Sequence, residues 1–261
     1  MKNVTVVKIG GSTFGSHDTT IADIITLQEQ GKALVVVHGG GRTVTNWLKR
    51  QGIETQFVRG ERVTDLPTLE VATAVLAGLA NKELTAAINL RGGRAVGISG
   101  VDGHLIESRA KNPEMGYVGE VIKVNTAVLE VLIDAGFVPV VSSISLYAVD
   151  RPDDAAEIIN VNGDPVAGDI AAALGAERLV FLTDVGGIND ASGKLISRLS
   201  AREAEELTDS GVISGGMIPK INACLTALSA GAITRIIDGK KPHALVNELA
   251  GLDGGTTIFK E

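Results

Sequence analysis

The sequence predicts an α/β fold built around parallel strands. Short runs rich in β-branched residues end in glycines, and they alternate with segments whose apolar residues recur at helical spacing. Apolar residues make up 44% of the 261 positions and aromatic residues only 3%. Val, Ile, Leu and Ala must therefore fill the core, as they do in buried parallel strands, and this composition favours α/β over all-β.

The chain opens on a strand, a helix and a second strand. Residues 4–9 and 33–37 are β-branched runs closed by glycines, and between them Ile21, Ile24 and Ile25 follow helical spacing. We expect this βαβ unit to be parallel and right-handed.

The same alternation continues along the chain. Helices are predicted at residues 43–50, 66–90, 126–135, 164–174, 201–208 and 219–230, strands at 95–98, 138–141, 179–183, 233–237 and 256–259, and a hairpin-like segment near Asp102 and Gly103. No fixed-period repeat and no long polar linker occurs. We therefore expect two lobes, residues 1–175 and 176–261, that share one central sheet.

Composition argues against several classes of partner. The formal charge is -7, and Lys and Arg are spread along the chain without a basic stripe, so we expect no nucleic-acid partner. Cys224 is the only cysteine, which excludes an intrachain disulfide and a thiolate metal cage and fits a reducing compartment. Charged residues interrupt the longer apolar stretches, so we expect no signal peptide, no membrane span and a cytoplasmic location.

A lysine and two glycines stand at the end of the first strand. Lys8 is followed by Gly10 and Gly11, which let backbone N–H groups approach a ligand closely. A cation there would face the site edge of the sheet. A snorkelling lysine before a tight turn would explain the same residues without a function.

The second strand also ends in glycines. His38 is followed by Gly39, Gly40 and Gly41 ahead of a helix, which predicts a second anion site at a helix N-terminus. Two such turns at neighbouring strand ends suggest a phosphorylated ligand. The chain lacks G-x-x-x-x-G-K-[ST], and Val44 stands where the dinucleotide motif needs glycine, so neither a P-loop nor a typical Rossmann site is expected.

Two further segments offer polar groups to a substrate. The fork of Arg62 could hold a carboxylate through two hydrogen bonds, or the residue could be a solvated loop arginine. Strand alternation points Asn160 and Asn162 to the same side. Asp164 precedes Pro165 at a helix start, so it is either a helix cap or an organiser of active-site lysines.

Two later segments combine strand or helix ends with glycines. The first follows a predicted strand and comprises Thr183, Asp184, Val185, Gly186, Gly187 and Ile188. The second comprises Ser214, Gly216 and Met217 and leads to Lys220 in the first turn of a helix. The helix dipole disfavours a lysine there, so a nucleotide phosphate nearby would account for it; the alternative is an exposed lysine.

Together these six segments resemble the amino-acid kinase family, and within it the members that act on N-acetyl-L-glutamate, over nearly the whole chain. The combination that carries the resemblance is His38-Gly39-Gly40-Gly41, Arg62-Val63-Thr64-Asp65, Asn81-Lys82, Asn160-Val161-Asn162, and Gly216-Met217-Ile218 ahead of Lys220.

The resemblance implies a three-layer α/β/α sandwich with a mostly parallel central sheet. It implies an N-terminal lobe that binds the acylated amino acid, a C-terminal lobe that binds MgATP, and a homodimer joined through the N-terminal lobes. The implied reaction is phosphorylation of the side-chain carboxylate of N-acetyl-L-glutamate, to N-acetyl-L-glutamyl 5-phosphate, in arginine biosynthesis.

Arginine-inhibited hexamers of the family usually carry an additional N-terminal helix, whereas the first strand here begins near Met1, so we expect insensitivity to arginine. Binding to a PII-type signalling protein is not decidable from the sequence.

The same resemblance implies roles for individual residues. The catalytic residues would be Lys8, Lys220 and Asp164. The substrate-binding residues would be Gly11, Gly40, Gly41, Arg62, Asn160 and Asn162. The nucleotide-binding residues would be Gly10, Thr183, Asp184, Val185, Gly186, Gly187, Ile188, Ser214, Gly216 and Met217. Mg²⁺ would be held mainly by the nucleotide phosphates, without a protein metal site.

Two alternative functions remain. The first is a kinase that acts on carrier-protein-linked aminoadipate or glutamate, although the net negative charge disfavours docking of an acidic carrier. The second is a catalytically silent nucleotide-binding regulator, and the presence of Lys8, Asp164 and Lys220 counts against it.

Overall fold

The computed structural model describes residues 3–10, 19–58, 61–252 and 254–260, and Gly11 lies outside them. The strands are β1 (Val4–Ile9), β2 (Ala33–His38), β3 (Phe57–Val58), β4 (Glu61–Arg62), β5 (Ala95–Ser99), β6 (Ile106–Ala110), β7 (Val118–Val124), β8 (Val138–Ser142), β9 (Ile144–Tyr147), β10 (Ile158–Val161), β11 (Arg178–Thr183), β12 (Ile188–Asn189), β13 (Leu195–Ile196), β14 (Arg198–Ser200), β15 (Ile233–Asp238) and β16 (Thr256–Phe259). The helices are α1 (Thr20–Glu29), α2 (Gly41–Arg50), α3 (Leu66–Thr73), α4 (Asn81–Leu90), α5 (Ala127–Asp134), α6 (Gly163–Ala173), α7 (Ala201–Asp209), α8 (Met217–Ser229) and α9 (Ala244–Leu249).

Eight of the described strands form the central sheet, in the order β14, β16, β15, β11, β1, β2, β8, β5. Neighbouring strands are parallel except β15 and β16, which are antiparallel. Strand β1 pairs on one side with β2 and on the other with β11. The two halves of the chain therefore share one sheet, as expected, and the boundary near residue 175 stays a prediction.

The central strands are buried on both faces, which makes the fold a three-layer sandwich. In β1 and β2, Val6 and Val35 pack in one apolar cluster together with residues of α5, α6 and α8. Val7 and Val36 pack in a second cluster with residues of α1, α4 and α9. Cys224 lies in α8 within the first cluster, and burial raises the pKa of its thiol to about 12. This cysteine therefore has a packing role in the core.

A smaller group of strands, β6, β7, β9 and β10, closes into a barrel beside the main sheet. The sequence did not predict this barrel, and the hairpin predicted near Asp102 and Gly103 is wrong. Residues Asp102–His104 form a 3₁₀ turn, in which the Asp102 carboxylate accepts hydrogen bonds from the backbone N–H and the hydroxyl of Ser99. An Asp-Gly pair makes a hairpin only when the flanking segments pair with each other, whereas here β5 pairs with β8 and β6 pairs with β7.

Helices α3 and α4 are joined by a π-helical segment, Ala74–Ala80, into one run from Leu66 to Leu90. Among the described residues, this run is long and apolar enough to cross a membrane by length and composition alone. Its middle carries Asn81, which is fully buried and donates hydrogen bonds to the backbone of Ile98 in β5 and Val140 in β8. This part of the run therefore packs against the central sheet.

Candidate active site

The candidate site lies where parallel strands end together. In the register of the sheet, Lys8 of β1 lies beside Val37 of β2 and Phe181 of β11, and Thr183 lies beside Asp238 at the end of β15. Because these strands are parallel, their carboxyl ends and the loops that follow them meet at one edge. The predicted glycine turns and the segment after Thr183 all begin at this edge.

Lys8, Asp164 and Lys220 form one charged cluster. The Lys8 ammonium lies 2.6 Å from one oxygen of Asp164, and the Lys220 ammonium lies 2.9 Å from the other. Lys220 also donates a hydrogen bond to the carbonyl of Gly216, one turn earlier in α8. The Asp164 carboxylate thus joins the two lysines, and the catalytic role of the three residues stays a prediction.

Asp164 lies in the first turn of α6, and a different residue caps that helix. The side chain of Asn162 accepts a hydrogen bond from the backbone N–H of Asp164, so Asn162 is the N-cap. Its amide oxygen pairs with that N–H, which is one of the donors that the start of a helix leaves without an internal partner. The Asp164 carboxylate is therefore available for the lysines.

The charges of the cluster are strongly coupled. Burial alone would raise the pKa of Asp164, since only 4% of the residue is exposed, but the ammonium groups of Lys8 and Lys220 outweigh burial and lower the pKa below its ordinary value. Asp164 is therefore ionised at neutral pH. Two cations beside one anion leave a net positive site, which suits a multiply charged anion.

A cavity of about 250 Å³ opens beside this cluster. Six of the predicted catalytic and substrate-binding residues line it: Lys8, Gly40, Gly41, Arg62, Asn160 and Asn162. Asn160 donates a weak hydrogen bond, 3.4 Å long, to the Thr64 hydroxyl, so its amide is only loosely held. The structure thus brings together residues that lie more than 150 positions apart in the sequence.

Arg62 lies in the cavity wall, and only one of its two terminal nitrogens makes hydrogen bonds to the described residues. One terminal nitrogen, Nη2, donates hydrogen bonds to the Gly41 carbonyl at 3.0 Å and to the Thr45 hydroxyl at 2.7 Å. The other, Nη1, is buried and has no hydrogen-bond partner among the described residues. Burial lowers the pKa of Arg62 from its ordinary value, but a guanidinium remains charged at neutral pH. A buried, charged donor without a partner among the described residues, on a side chain that lines a cavity, is suited to an anionic ligand.

The sequence motifs did not point to Phe57, which also lines the cavity. The Arg62 guanidinium lies over the Phe57 ring at 4.7 Å from its centroid, because β3 and β4 pair as a short antiparallel hairpin. In the sequence, Gly60 stands between two short segments that mix apolar and polar residues. A glycine in that position is a signal that could have predicted this hairpin.

The glycine turns offer backbone donors. Gly40 is the N-cap residue of α2 and Gly41 is its first residue, so their N–H groups belong to the set that a helix leaves without internal partners. Gly40 also packs closely, because an added Cβ would lie 2.6 Å from Cδ2 of Leu76. Gly10 donates its own N–H to the Leu182 carbonyl, which fixes the start of the first turn.

Some of the predicted nucleotide-binding residues are buried and make hydrogen bonds within the protein, and the others are exposed. The Thr183 hydroxyl donates to the carbonyls of Val185 and Ile237, and Ile188 is buried with its N–H bonded to the Thr256 hydroxyl. These side chains hold the loop between them rather than line a pocket. The exposed members are Asp184, Val185, Gly186, Ser214 and Gly216, with Met217 half-buried at the start of α8.

Two details of this loop were not predicted. Gly187 has φ 142°, and an added Cβ would lie 2.6 Å from the Thr256 hydroxyl, so only glycine fits there. Lys240, after β15, lies with its ammonium 3.5 Å from the Asp184 carbonyl. A lysine pair after a strand end, Lys240-Lys241, is the only sequence signal for it.

Comparison with known proteins places the chain in a family. Residues 3–238 match the model of the amino acid kinase family. An acetylglutamate kinase from Dehalococcoides mccartyi is 48% identical, over 98% of this chain and 94% of the relative, and one from Nostoc sp. is 48% identical, over 94% and 83%. The crystal structure of N-acetylglutamate synthase from Neisseria gonorrhoeae, complexed with coenzyme A and N-acetyl-glutamate, superposes with a TM-score of 0.84 at 28% identity, over 99% of this chain and 60% of the synthase. The match to the family model spans most of the chain and the curated relatives are nearly half identical, so the chain belongs to the amino acid kinase family.

Proposed function

We propose that this protein is an acetylglutamate kinase, which transfers the γ-phosphoryl group of ATP to the side-chain carboxylate of N-acetyl-L-glutamate in arginine biosynthesis. One observation carries the proposal: the buried Asp164 joins Lys8 and Lys220 beside a cavity lined by Arg62, whose Nη1 has no hydrogen-bond partner among the described residues. The curated acetylglutamate kinases that match almost the full chain support the choice of substrate.

In this mechanism the lysines stabilise charge on the phosphoryl group in transit. Phosphoryl transfer requires alignment of nucleophile and leaving group and screening of the equatorial oxygens, with little covalent chemistry by the protein. Lys8 and Lys220 would supply that screening, and Asp164 would hold both ammonium groups in position. The N–H groups of Gly40 and of Gly11 would add backbone donors.

The acceptor needs no general base. A side-chain carboxylate is already ionised at neutral pH, since the ordinary pKa of a glutamate side chain is about 4.3. Arg62 would bind the α-carboxylate of N-acetyl-L-glutamate through its unpaired Nη1, and Asn160 would bind the acetamido group. Asn162 would contribute at the cavity wall while it caps α6.

ATP would lie across the carboxyl edge of the sheet. The exposed loop from Asp184 to Gly187 and the segment from Ser214 to Met217 would contact the nucleotide, and the first turn of α8 would present Lys220 to its phosphates. Within the described residues, no group of three or more His, Cys, Asp or Glu is placed to hold a metal ion. Because Asp164 is already engaged by two lysines, Mg²⁺ would be held by the phosphates and water. When bound, Mg²⁺ would neutralise charge on the nucleotide.

We further propose, from the family resemblance, a homodimer joined through the N-terminal lobes and a cytoplasmic location. Sedimentation of the full-length protein would test the first point.

The deciding experiment measures ATP-dependent formation of an acyl phosphate, trapped with hydroxylamine. N-acetyl-L-glutamate is compared in this assay with L-glutamate, L-aspartate and N-acetyl-L-aminoadipate. UMP is compared by release of ADP, since its product UDP is not an acyl phosphate. We expect a clear preference for N-acetyl-L-glutamate. Turnover of another acceptor alone would keep the chemistry and refute the substrate, and absence of turnover with every acceptor would favour a silent nucleotide-binding regulator.

A further inference from the structure

His38 is a buried titratable residue that the proposed chemistry does not use. It is the last residue of β2, 2% of its surface is exposed, and it directly precedes the glycine turn. Its ring Nδ1 lies 2.8 Å from the Gly39 carbonyl, and its Nε2 lies 3.2 Å from Nδ2 of Asn81. Both ring nitrogens are therefore engaged, and the neighbours of Asn81 determine which one carries the proton.

The orientation of the Asn81 amide follows from its neighbours. Its Nδ2 lies 2.8 Å from the Val140 carbonyl and 3.2 Å from the Ile98 carbonyl, which are acceptors only. Its Oδ1 lies 3.1 Å from the ammonium of Lys82, which is a donor only. A flipped amide would face its oxygen to two carbonyls and its NH₂ to a cation, so the favourable orientation has the NH₂ on the side of the carbonyls and of His38.

The protonation state of His38 follows in turn. Because the Asn81 NH₂ faces Nε2 and an amide nitrogen cannot accept a hydrogen bond, a proton on Nε2 would have no acceptor there, so Nε2 carries no proton. The single proton of the neutral ring is then on Nδ1 and is donated to the Gly39 carbonyl. Burial lowers the pKa of His38, the bond to Gly39 opposes this, and the positive charge of Lys8 lowers the pKa further. The net effect keeps the ring neutral at pH 7.

This bond orients the Gly39–Gly40 peptide. Gly39 and Gly40 line the catalytic cavity on one side and a second cavity of about 410 Å³ on the other, and His38 lines only the second. The Gly39 carbonyl is directed toward the imidazole, on the side of the second cavity. In a trans peptide the C=O and the following N–H point in opposite directions, so the Gly40 N–H is directed away from the imidazole.

We infer that His38 is a positioning residue for phosphoryl transfer: its neutral Nδ1–H tautomer, fixed by Asn81, holds the Gly39 carbonyl so that the Gly40 N–H points at the transferring group. The role of the Gly40 N–H rests on the proposed function, whereas the tautomer of His38 does not. Asn81 and Lys82 thus act on the site through His38, from the far side of the glycine turn.

The first test is spectroscopic and needs no turnover. Long-range ¹H–¹⁵N spectra of the full-length protein at pH 7 distinguish a protonated ring nitrogen from an unprotonated one, and the signals absent from a His38→Gln spectrum assign His38. We expect an unprotonated Nε2 and a protonated Nδ1. A protonated Nε2, in either a neutral or a charged ring, would overturn the inference.

The second test compares two replacements of His38, each of which keeps a hydrogen-bond donor near the position of one ring nitrogen. The amide of His38→Asn can donate from about the position of Nδ1 to Gly39, whereas that of His38→Gln reaches only the position of Nε2. We expect His38→Asn to stay within about 3-fold of the wild-type kcat and His38→Gln to lose roughly 10-fold or more, with KM for N-acetyl-L-glutamate little changed in both.

Controls separate this inference from the proposed function. His104→Asn, at an exposed turn between β5 and β6, should leave kcat unchanged. Equal losses in His38→Asn and His38→Gln at equal thermal stability would overturn the positioning role. Failure of the proposed function would instead show as absent turnover of N-acetyl-L-glutamate in the wild type, and the spectra would still decide the tautomer.

Discussion

At the scale of single residues, the two lysines that share Asp164 should affect turnover more than binding. Lys8→Met and Lys220→Met each remove a cation that acts mainly on charge developing in the transition state. We expect kcat to fall by about 10²- to 10³-fold while KM for N-acetyl-L-glutamate changes little, as measured by steady-state kinetics of each variant. Lys32→Met, exposed before β2 at the opposite edge of the sheet, is the matched control. An unchanged kcat in both site variants would refute the assignment.

Arg62 should show the opposite kinetic pattern. Its Nη2 is anchored on Gly41 and Thr45, so the chain keeps a planar fork in place and leaves Nη1 for the ligand. Lysine cannot reproduce that geometry. We expect Arg62→Lys to raise KM for N-acetyl-L-glutamate by roughly 10- to 100-fold, the value of one to two charged hydrogen bonds, with kcat nearly unchanged. A matching loss of kcat with unaltered KM would place Arg62 in transition-state stabilisation instead.

Individual residues also show where prediction from the sequence stops. Lys8 and Lys220 could be singled out because each stands at a strand or helix end beside glycines. Whether Asp164 caps its helix could not be decided, since Asn162 and Asp164 are both good capping residues two positions apart. The choice depends on where β10 ends and α6 begins, and that depends on packing against strands distant in the sequence.

At the scale of secondary-structure elements, contact between α6 and α8 should control the geometry of the charged cluster. An added Cβ at Gly168 of α6 would lie 2.7 Å from both Cα and the carbonyl oxygen of Ala223 in α8, so the helices touch backbone to backbone. We expect Gly168→Ala to lower the free energy of unfolding by about 1–3 kcal/mol, because the two helices must separate. It should also lower kcat, because α8 carries Lys220 and α6 carries Asp164.

Thermal unfolding and steady-state kinetics check this prediction together. Gly78→Ala, in the π-helical segment, is the matched control because nothing lies within 4 Å of its added Cβ. Wild-type stability in Gly168→Ala would contradict a backbone contact between the helices. A loss of stability with full kcat would mean that the lysine cluster tolerates the shift.

Among the elements, buried strands were predicted and the small barrel was not. Strands such as β1 and β2 are continuous apolar runs because both faces are covered, which makes them visible in the sequence. The barrel strands β6 and β7 instead carry charged side chains that pair across the strands, Arg109 with Glu120 and Lys123 with the half-buried Glu107. Strand β10 joins β7 in parallel and β9 in antiparallel orientation, and no local sequence pattern encodes that combination.

At the scale of the whole molecule, one sheet couples the two predicted lobes. Strand β1 is paired along its length with β2 and with β11, so Lys8 is fixed relative to strands of both predicted lobes. Such a continuous sheet resists rearrangement at its centre, because every central strand is buried on both faces. Movements that admit substrates are thus expected in the loops at the carboxyl edge and in the β3–β4 hairpin.

The pH dependence of global stability should reveal a second carboxyl group on α6. Burial raises the pKa of Asp169 to about 6, and no hydrogen-bond or ion-pair partner is found for it among the described residues. A carboxyl with a raised folded pKa favours folding fully below its unfolded pKa of about 3.9, and this advantage is lost as pH rises through about 6. The contribution of Asp164 to the pH dependence has the opposite sign. Because its folded pKa is lowered, its ionised form stabilises the fold at neutral pH, and this stabilisation is lost as pH falls below the ordinary range of an aspartate.

Asp169→Asn mimics the protonated carboxyl and should therefore stabilise the protein above pH 6. With allowance for partial solvent screening, we expect a gain of about 1–2 kcal/mol at pH 8, or about 3 to 6 °C in Tm, that shrinks as pH falls through about 6 and disappears only below about pH 3.9. Thermal unfolding of variant and wild type from pH 4.5 to pH 8 measures the difference, in which the effect of Asp164 cancels. Asp153→Asn, at an exposed position, should give no such pH-dependent difference. A variant less stable than the wild type at pH 8 would mean that the Asp169 carboxylate has a favourable partner in solution, for example the second subunit of the proposed dimer.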